Sequence, residues 1–309
     1  MVYDVIVLGG GPAGITAAIY GKRAGLNILV LDESPKSGGQ ILTTYEVDNY
    51  PGLPKIGGME LGDKFREHAD QLGAEFAVGR VSSIEKQDDT FLLKTRKVTY
   101  EAKTVIIATG AGHRALGVPG EAEHMGMGVS YCATCDGAFY KDKVTAVVGG
   151  GNVALEDALF LARTSKQVYL IHRRDEFRGD KVLVDQVKAT DNITLVLDSV
   201  VESIEGQMKV DSLSIKNVKT EEVSKLEVDG VFIAVGITPN TDKMQGLPEM
   251  DAAGYILAGE DAQTSIPGVF AAGDVRTKQL RQVITSASDG ANAIFSVQRY
   301  LNSQKLHKN

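Results

Sequence analysis

Cys132 and Cys135 are the only cysteines in the chain, and just Ala133 and Thr134 separate them. Two thiols at that spacing can close a reducible disulfide with little strain, and one of them can become a reactive thiolate. Two other readings share the pattern: a pair of buried, inert thiols, or half of a zinc knuckle. The zinc reading lacks donors, because there is no third cysteine and His68, His113, His124, His172 and His307 are scattered. No metal is expected. Asp136 follows the pair directly. Thiolate release needs a proton source, which a nearby carboxyl group can be. The same residue could equally cap a helix.

Two glycine-rich stretches suggest what would supply electrons to such a pair. Gly9-x-Gly11-x-x-Gly14 follows the apolar run DVIVL. Gly9 permits a tight turn, Gly11 lets backbone N–H groups approach a pyrophosphate, and Gly14 lets helix and strand pack closely. Asp32 closes the next apolar run, where an acid accepts hydrogen bonds from a ribose hydroxyl. The second stretch is Gly149-x-Gly151-x-x-Ala154, and its next apolar run ends in His172, Arg173 and Arg174, with Arg178 close behind. Guanidinium groups there would bind a 2′-phosphate and select NADPH over NADH. The alternative is a solvated basic loop balanced by Asp175, Glu176 and Asp180. The turns Ser37-Gly38-Gly39-Gln40 and Gly273-Asp274 suit contact with a flavin; an Asp at such a turn could bond a ribityl hydroxyl, although Gly-Asp is common at ordinary turns.

The elements that must hold these residues repeat. DVIVLGGGPAG at 4–14 and VTAVVGGGNVA at 144–154 are each a short apolar run feeding three glycines. Helical spacing follows both, with Ile15, Ala18 and Ile19 after the first and Ala154, Ala158 and Leu161 after the second. Each copy continues into a second apolar run and ends in a related segment, TVIIATG at 104–110 and GVFIAVG at 230–236. The expected fold is α/β, with two Rossmann-like dinucleotide-binding domains. PGVFAAGD at 267–274 has no glycine-rich opening of its own, so the chain after the second copy should return to complete the first. That gives a discontinuous FAD-binding domain at 1–113 and 242–309, with the NADPH-binding domain and its cysteine pair inserted at 114–241.

Composition limits the alternatives. A chain of 309 residues with 43% hydrophobic and 24% charged residues is long enough for about two globular domains. Its net charge of −7 argues against a general nucleic-acid surface, and it has no Trp. No apolar run reaches the roughly 18 residues that would span a membrane. No secretory signal opens the sequence, so a cytoplasmic location is expected.

Assembled in order, GGGPAG, GGQ, EVDNYPG, VIIATG, CATCDG, GGGNVALEDALFLA, LIHRRDEFR, TSIPGVFAAGDV and RQVITSASDGANA resemble the motifs of the bacterial-type low-molecular-weight thioredoxin reductases. These are class II pyridine nucleotide-disulfide oxidoreductases, and the resemblance covers essentially the whole chain. It implies a homodimer that oxidises NADPH and reduces thioredoxin through FAD. It implies that Cys135 lies against the flavin, that Cys132 attacks the partner's disulfide, and that Asp136 is the acid. FAD contacts are implied at Gly9, Gly11, Pro12, Ala13 and Gly14, at Asp32, Glu33, Gly38, Gly39 and Gln40, and at Asn49. Further FAD contacts are implied at Ala108, Thr109 and Gly110, and at Gly273, Asp274, Arg281, Gln282 and Val283. For NADPH the matching positions are Gly149, Gly151, Asn152 and Val153, with His172, Arg173, Arg174 and Arg178 at the 2′-phosphate.

Overall fold

The structure is a computed structural model and describes residues 1–44, 46–242 and 244–306. It divides into two compact units, one of Met1–Thr44, Tyr50–Gly112 and Thr238–Asn309, the other of Tyr45–Asn49 and His113–Ile237.

The first unit opens with β1 (Val2–Leu8), α1 (Pro12–Arg23), β2 (Ile28–Asp32), α2 (Gly58–Gln71) and β3 (Glu75–Val78). The hairpin strands β4 (Val81–Gln87) and β5 (Thr90–Thr95) lead into the long β6 (Thr99–Ile107). The sheet order is β3-β2-β1-β6-β5-β4. The pairs β2/β3, β1/β2 and β1/β6 are parallel, whereas β5 and β4 are antiparallel to their neighbours.

The chain then crosses to the second unit through β7 (Ala111–His113). That unit holds β8 (Val129–Ser130), α3 (Ala133–Asp136), β9 (Val144–Gly149), α4 (Asn152–Ala162), β10 (Gln167–Ile171), α5 (Lys181–Lys188) and β11 (Ile193–Val196). It continues with β12 (Ser199–Glu205), β13 (Ser212–Asn217), β14 (Val223–Glu227) and β15 (Gly230–Ala234). Strands β11-β10-β9-β15-β8 form an all-parallel sheet, and β12-β13-β14 an antiparallel one. The return crossing, β16 (Ile237–Pro239), pairs with β7. Finally β17 (Val269–Ala271) joins β6 in parallel, and α6 (Val283–Leu306) closes the fold. Strand β17 takes the part of β6 beyond the reach of β5: Val105–Ile107 pair with β17, Thr99–Ala102 with β5.

Burial on both sheet faces explains why the central strands are continuous apolar runs rather than alternating ones. In the first unit Val5, Val7, Ile28, Val30 and Ile106 pack with α1 and α6, while Ile6, Leu8, Leu29, Leu31 and Ile107 face the opposite layer with Leu93 and Ile256. The second unit repeats this two-sided core. Val147, Leu170 and Phe232 lie with Leu155 and Leu161 of α4, and Val148, Ile171 and Ile233 with Leu213 of β13.

Candidate active site

The cysteine pair is held where a strand turns into a helix. β8 ends at Ser130, and Cys132 is the N-cap of α3. The Cys132 carbonyl accepts the N–H groups of Cys135 at 3.2 Å and Asp136 at 3.1 Å. This turn brings the two Cα atoms to 5.3 Å, and Cys132 and Cys135 are joined as a disulfide. Both cysteines are half-buried and Thr134 between them is exposed, so neither sulfur sits in a sealed core where a thiol would be inert.

Asp136 uses its two oxygens differently. Oδ2 accepts the Ser130 hydroxyl at 2.6 Å, and Oδ1 is buried with no hydrogen-bond partner among the described residues. Its side chain makes no capping hydrogen bond, which removes the helix-cap reading. Burial pushes its carboxyl up from the ordinary range, and the Ser130 bond offsets part of that. A carboxyl that keeps its proton closer to neutrality is better suited to donating one.

Glu121 fastens the strand side of this loop. It is 5% exposed and accepts the N–H groups of Leu116 (2.9 Å) and Gly117 (2.7 Å) and the hydroxyl of Tyr131 (2.6 Å). The Tyr131 ring stacks on His113, with centroids 5.1 Å apart.

In the first unit the glycines divide by role. A Cβ on Gly9, whose φ is +109°, would lie 2.3 Å from the Ala108 carbonyl oxygen, and one on Gly14 would lie 1.8 Å from the Gly9 oxygen. Those two permit the turn itself. A Cβ on Gly11 would meet only the Gly39 Cα at 3.9 Å, so protein packing does not require glycine there. Pro12 opens α1, Ala13 is buried behind it, no side chain caps the helix and no acid lies in its first turn. Its first N–H groups and positive end therefore suit a pyrophosphate. Asp32 accepts the N–H groups of Gly10 and Ser34. Gly38 N–H bonds the Gly10 carbonyl at 2.7 Å, laying the Gly38-Gly39 turn over Gly11. Gln40 is exposed beside it, and Glu33 pairs with Arg80 at 3.1 Å. Ala108, Thr109 and Gly110 extend β6, where Thr109 exchanges hydrogen bonds with Asn240. Asn49 lies in the short segment that groups with the other unit.

Gly273-Asp274 begins a turn just before α6. Asp274 Oδ1 accepts the Ser286 hydroxyl at 2.9 Å, and burial raises its pKa. The Arg281 guanidinium lies over the Tyr255 ring at 4.1 Å. Gln282 N–H bonds Thr285 Oγ1, and Val283 starts the helix. Beneath the turn sits an ion cluster that the sequence did not reveal. Asp289 accepts Arg276 through both oxygens (2.6 and 2.9 Å), Lys278 at 2.9 Å and the Gly273 N–H at 2.9 Å, and all three side chains are under 10% exposed. No local spacing betrays it, because Asp289 comes from α6 and its cations precede that helix.

The second glycine turn follows the same division. A Cβ on Gly149 would lie 2.4 Å from the Ala234 oxygen, whereas one on Gly151 would meet nothing within 4 Å. No acid sits in the first turn of α4. Asn152 exchanges hydrogen bonds with Asp180 (2.9 and 2.7 Å), and Val153 is exposed. Arg178 N–H bonds the Gly150 carbonyl at 2.7 Å, bringing the basic loop to the turn. His172 differs from its neighbours. It is 7% exposed, packs under Gly150 and on Phe177, and holds the Glu176 carbonyl at 3.1 Å. Burial, reinforced by the nearby arginines, pulls its pKa down. Arg173, Arg174 and Arg178 are exposed and form no ion pair among the described residues. Of the three acids that could have balanced them, Asp175 pairs with Lys219 at 2.9 Å and Asp180 bonds Asn152. No cluster of three metal-ligating side chains occurs among the described residues, and no helix there is long and apolar enough to cross a membrane.

Comparison with known proteins agrees with this arrangement. The profile of the pyridine nucleotide-disulphide oxidoreductases matches residues 3–290. The thioredoxin reductase of Listeria innocua is 43% identical over 98% of this chain and 95% of its own length. That of Mycolicibacterium smegmatis is 44% identical over 98% of each chain. The crystal structure of thioredoxin reductase from Streptococcus pyogenes superimposes with a TM-score of 0.93 at 45% identity, covering 98% of this chain and 99% of that one. With a Cys132–Cys135 disulfide, a glycine turn in each unit and a profile spanning nearly every residue, the chain belongs to the pyridine nucleotide-disulphide oxidoreductase family.

Proposed function

We propose that this chain is a thioredoxin-disulfide reductase that takes electrons from NADPH and passes them through FAD and the Cys132–Cys135 disulfide to oxidised thioredoxin. The observation that carries the reading is the closed Cys132–Cys135 bond, half-buried beside an acid with one oxygen unpartnered among the described residues. FAD is assigned to the segments 1–113 and 242–309, and NADPH to 114–241. The open positions at Gly11 and Gly151, each at an uncapped helix start, support a pyrophosphate in either unit. The exposed arginines 173, 174 and 178 support a 2′-phosphate, with neutral His172 as backing for the turn rather than as a cation. The enzyme is taken to act as a cytoplasmic homodimer.

The chain's own residues account for the interchange. FAD, when bound, supplies the two-electron relay between nicotinamide and disulfide. Asp274 and the Arg281–Gln282 turn would orient it. Once the pair is reduced, Cys132 attacks the thioredoxin disulfide, Asp136 gives a proton to the departing sulfur, and Cys135 resolves the mixed disulfide. Anaerobic titration of the holoenzyme tests this. NADPH should bleach the flavin, and added oxidised thioredoxin should restore the colour with stoichiometric appearance of thiols. A flavin that bleaches but never reoxidises with thioredoxin refutes the assignment.

A further inference from the structure

Ser130 closes β8 two residues before the first cysteine and is 5% exposed. Its hydroxyl has one proton to donate and lone pairs to accept with. The oxygen lies 2.6 Å from Asp136 Oδ2 and 3.4 Å from the Cys132 carbonyl, so the carboxylate contact takes the proton. The same oxygen accepts the Cys132 N–H at 3.0 Å. One buried hydroxyl thus ties the backbone of the attacking cysteine to one oxygen of the acid. The other oxygen, Oδ1, is the one left without a partner among the described residues.

We propose that Ser130 is a positioning residue for thiol–disulfide interchange: by holding Oδ2 it makes Oδ1 the oxygen that carries the exchanging proton, and it sets the pH range over which Asp136 donates. The inference rests on the reading of Asp136 as the acid. In the step itself, Cys132 Sγ bonds to one sulfur of the partner as the partner's S–S bond breaks. The departing sulfur keeps that bond's electron pair and takes the proton from Oδ1. The Cys135 thiolate then attacks Cys132 Sγ, re-forming the internal disulfide and releasing the second partner sulfur, which is protonated from solvent along with Asp136.

Few other titratable groups bear on Asp136. Tyr140, in the turn after α3, is pushed up to about 12 by burial, then by Asp136 and Asp229, and stays neutral through the working range. Lys143 lies 5.5 Å above that ring. Helix α4 presents Phe160 and Leu161 to the turn at Gly137. Its Asp157 is raised to about 7 by burial and by Glu156, and could add a limb of its own. The sign follows from the bond. Ser130 favours the charged carboxylate, so its removal raises the Asp136 pKa, and an acid donor then works to higher pH.

The test is the pH profile of kcat/KM for thioredoxin reduction by the FAD-loaded enzyme at saturating NADPH. Ser130→Ala should move the falling limb up by about one pH unit, and lower the plateau by on the order of 10-fold, since orientation alone is worth that much. Ser130→Thr, which keeps the hydroxyl, should restore the original limb; Asp157→Asn should leave it in place; Asp136→Asn should abolish it. Flavin absorbance and Tm confirm that each variant folds, and Ser130→Gly carries the same expectation as Ser130→Ala if the latter does not. An unmoved limb in Ser130→Ala, with the limb absent in Asp136→Asn, overturns the role of Ser130 and leaves Asp136 as the acid. A normal limb in Asp136→Asn removes Asp136 as the acid, and this proposal with it.

Discussion

Arg173 and Arg174 leave β10 with their guanidinium groups exposed, while Asp175 and Asp180 nearby are engaged with Lys219 and Asn152. A solvated basic loop would have paired with those acids; a phosphate cradle keeps its cations free. Each charge-assisted bond to a phosphate is worth ~1.5–3 kcal/mol. Replacing both arginines with Ala should therefore raise KM for NADPH by on the order of 100-fold, and leave KM for NADH nearly unchanged. Steady-state kinetics with the two cofactors check this, and equal losses for both would remove the 2′-phosphate reading. His172, next in line, should behave unlike a phosphate ligand. Substituting it with Ala opens space beneath Gly150 and should lower Tm, with no particular bias against NADPH.

Among the elements, the glycine turn before α1 separates two demands that a motif merges. Gly14→Ala places a methyl 1.8 Å from a backbone oxygen and should destabilise the protein even without FAD. Gly11→Ala meets no close atom, so it should change stability by no more than about 1 kcal/mol and yet weaken FAD binding. Tm of the apoprotein and FAD titration of both variants distinguish these outcomes. The turn before α6 depends instead on charge. Removing the Asp289 carboxylate strands Arg276 and Lys278 in a buried site, a loss of about 3–5 kcal/mol. The Arg276 and Lys278 contacts hold the Asp289 pKa below the ordinary carboxylate range despite the opposing effect of burial. Its contribution to stability is thus complete above the unfolded value and is lost as pH falls through the depressed folded value. Urea unfolding from pH 7 downward should show wild type losing this increment in strong acid, while Asp289→Asn starts lower and loses less.

How much of this was readable follows from the same elements. The parallel strands were legible because burial on both faces makes them apolar without interruption, as in Val5–Leu8 and Ala146–Val148. The antiparallel strands β4, β5 and β12–β14 were not, because exposed positions such as Glu85, Lys94 and Lys225 interrupt the apolar pattern. At the site, Cys132, Cys135 and the glycines announced themselves by type and spacing. Ser130, Glu121 and the Arg276–Asp289–Lys278 cluster act through contacts that only folding creates. His172 sat in a basic run, and its burial could not be inferred from its neighbours.

For the whole molecule, the two units divide the chemistry: the glycine turn at Gly9–Gly14 belongs to one, and the basic loop with the disulfide to the other. Changes in one turn should accordingly leave ligand binding at the other intact, so that Gly11→Ala combined with Arg174→Ala gives additive losses, as expected of independent sites. The account stands or falls on the disulfide as the exit for electrons. The most direct measurement is stopped-flow mixing of Cys135→Ser holoenzyme with NADPH, followed by oxidised thioredoxin. The account predicts that the flavin is still reduced, while thioredoxin thiol formation falls to background. Thioredoxin reduction at the wild-type rate in that variant would contradict it.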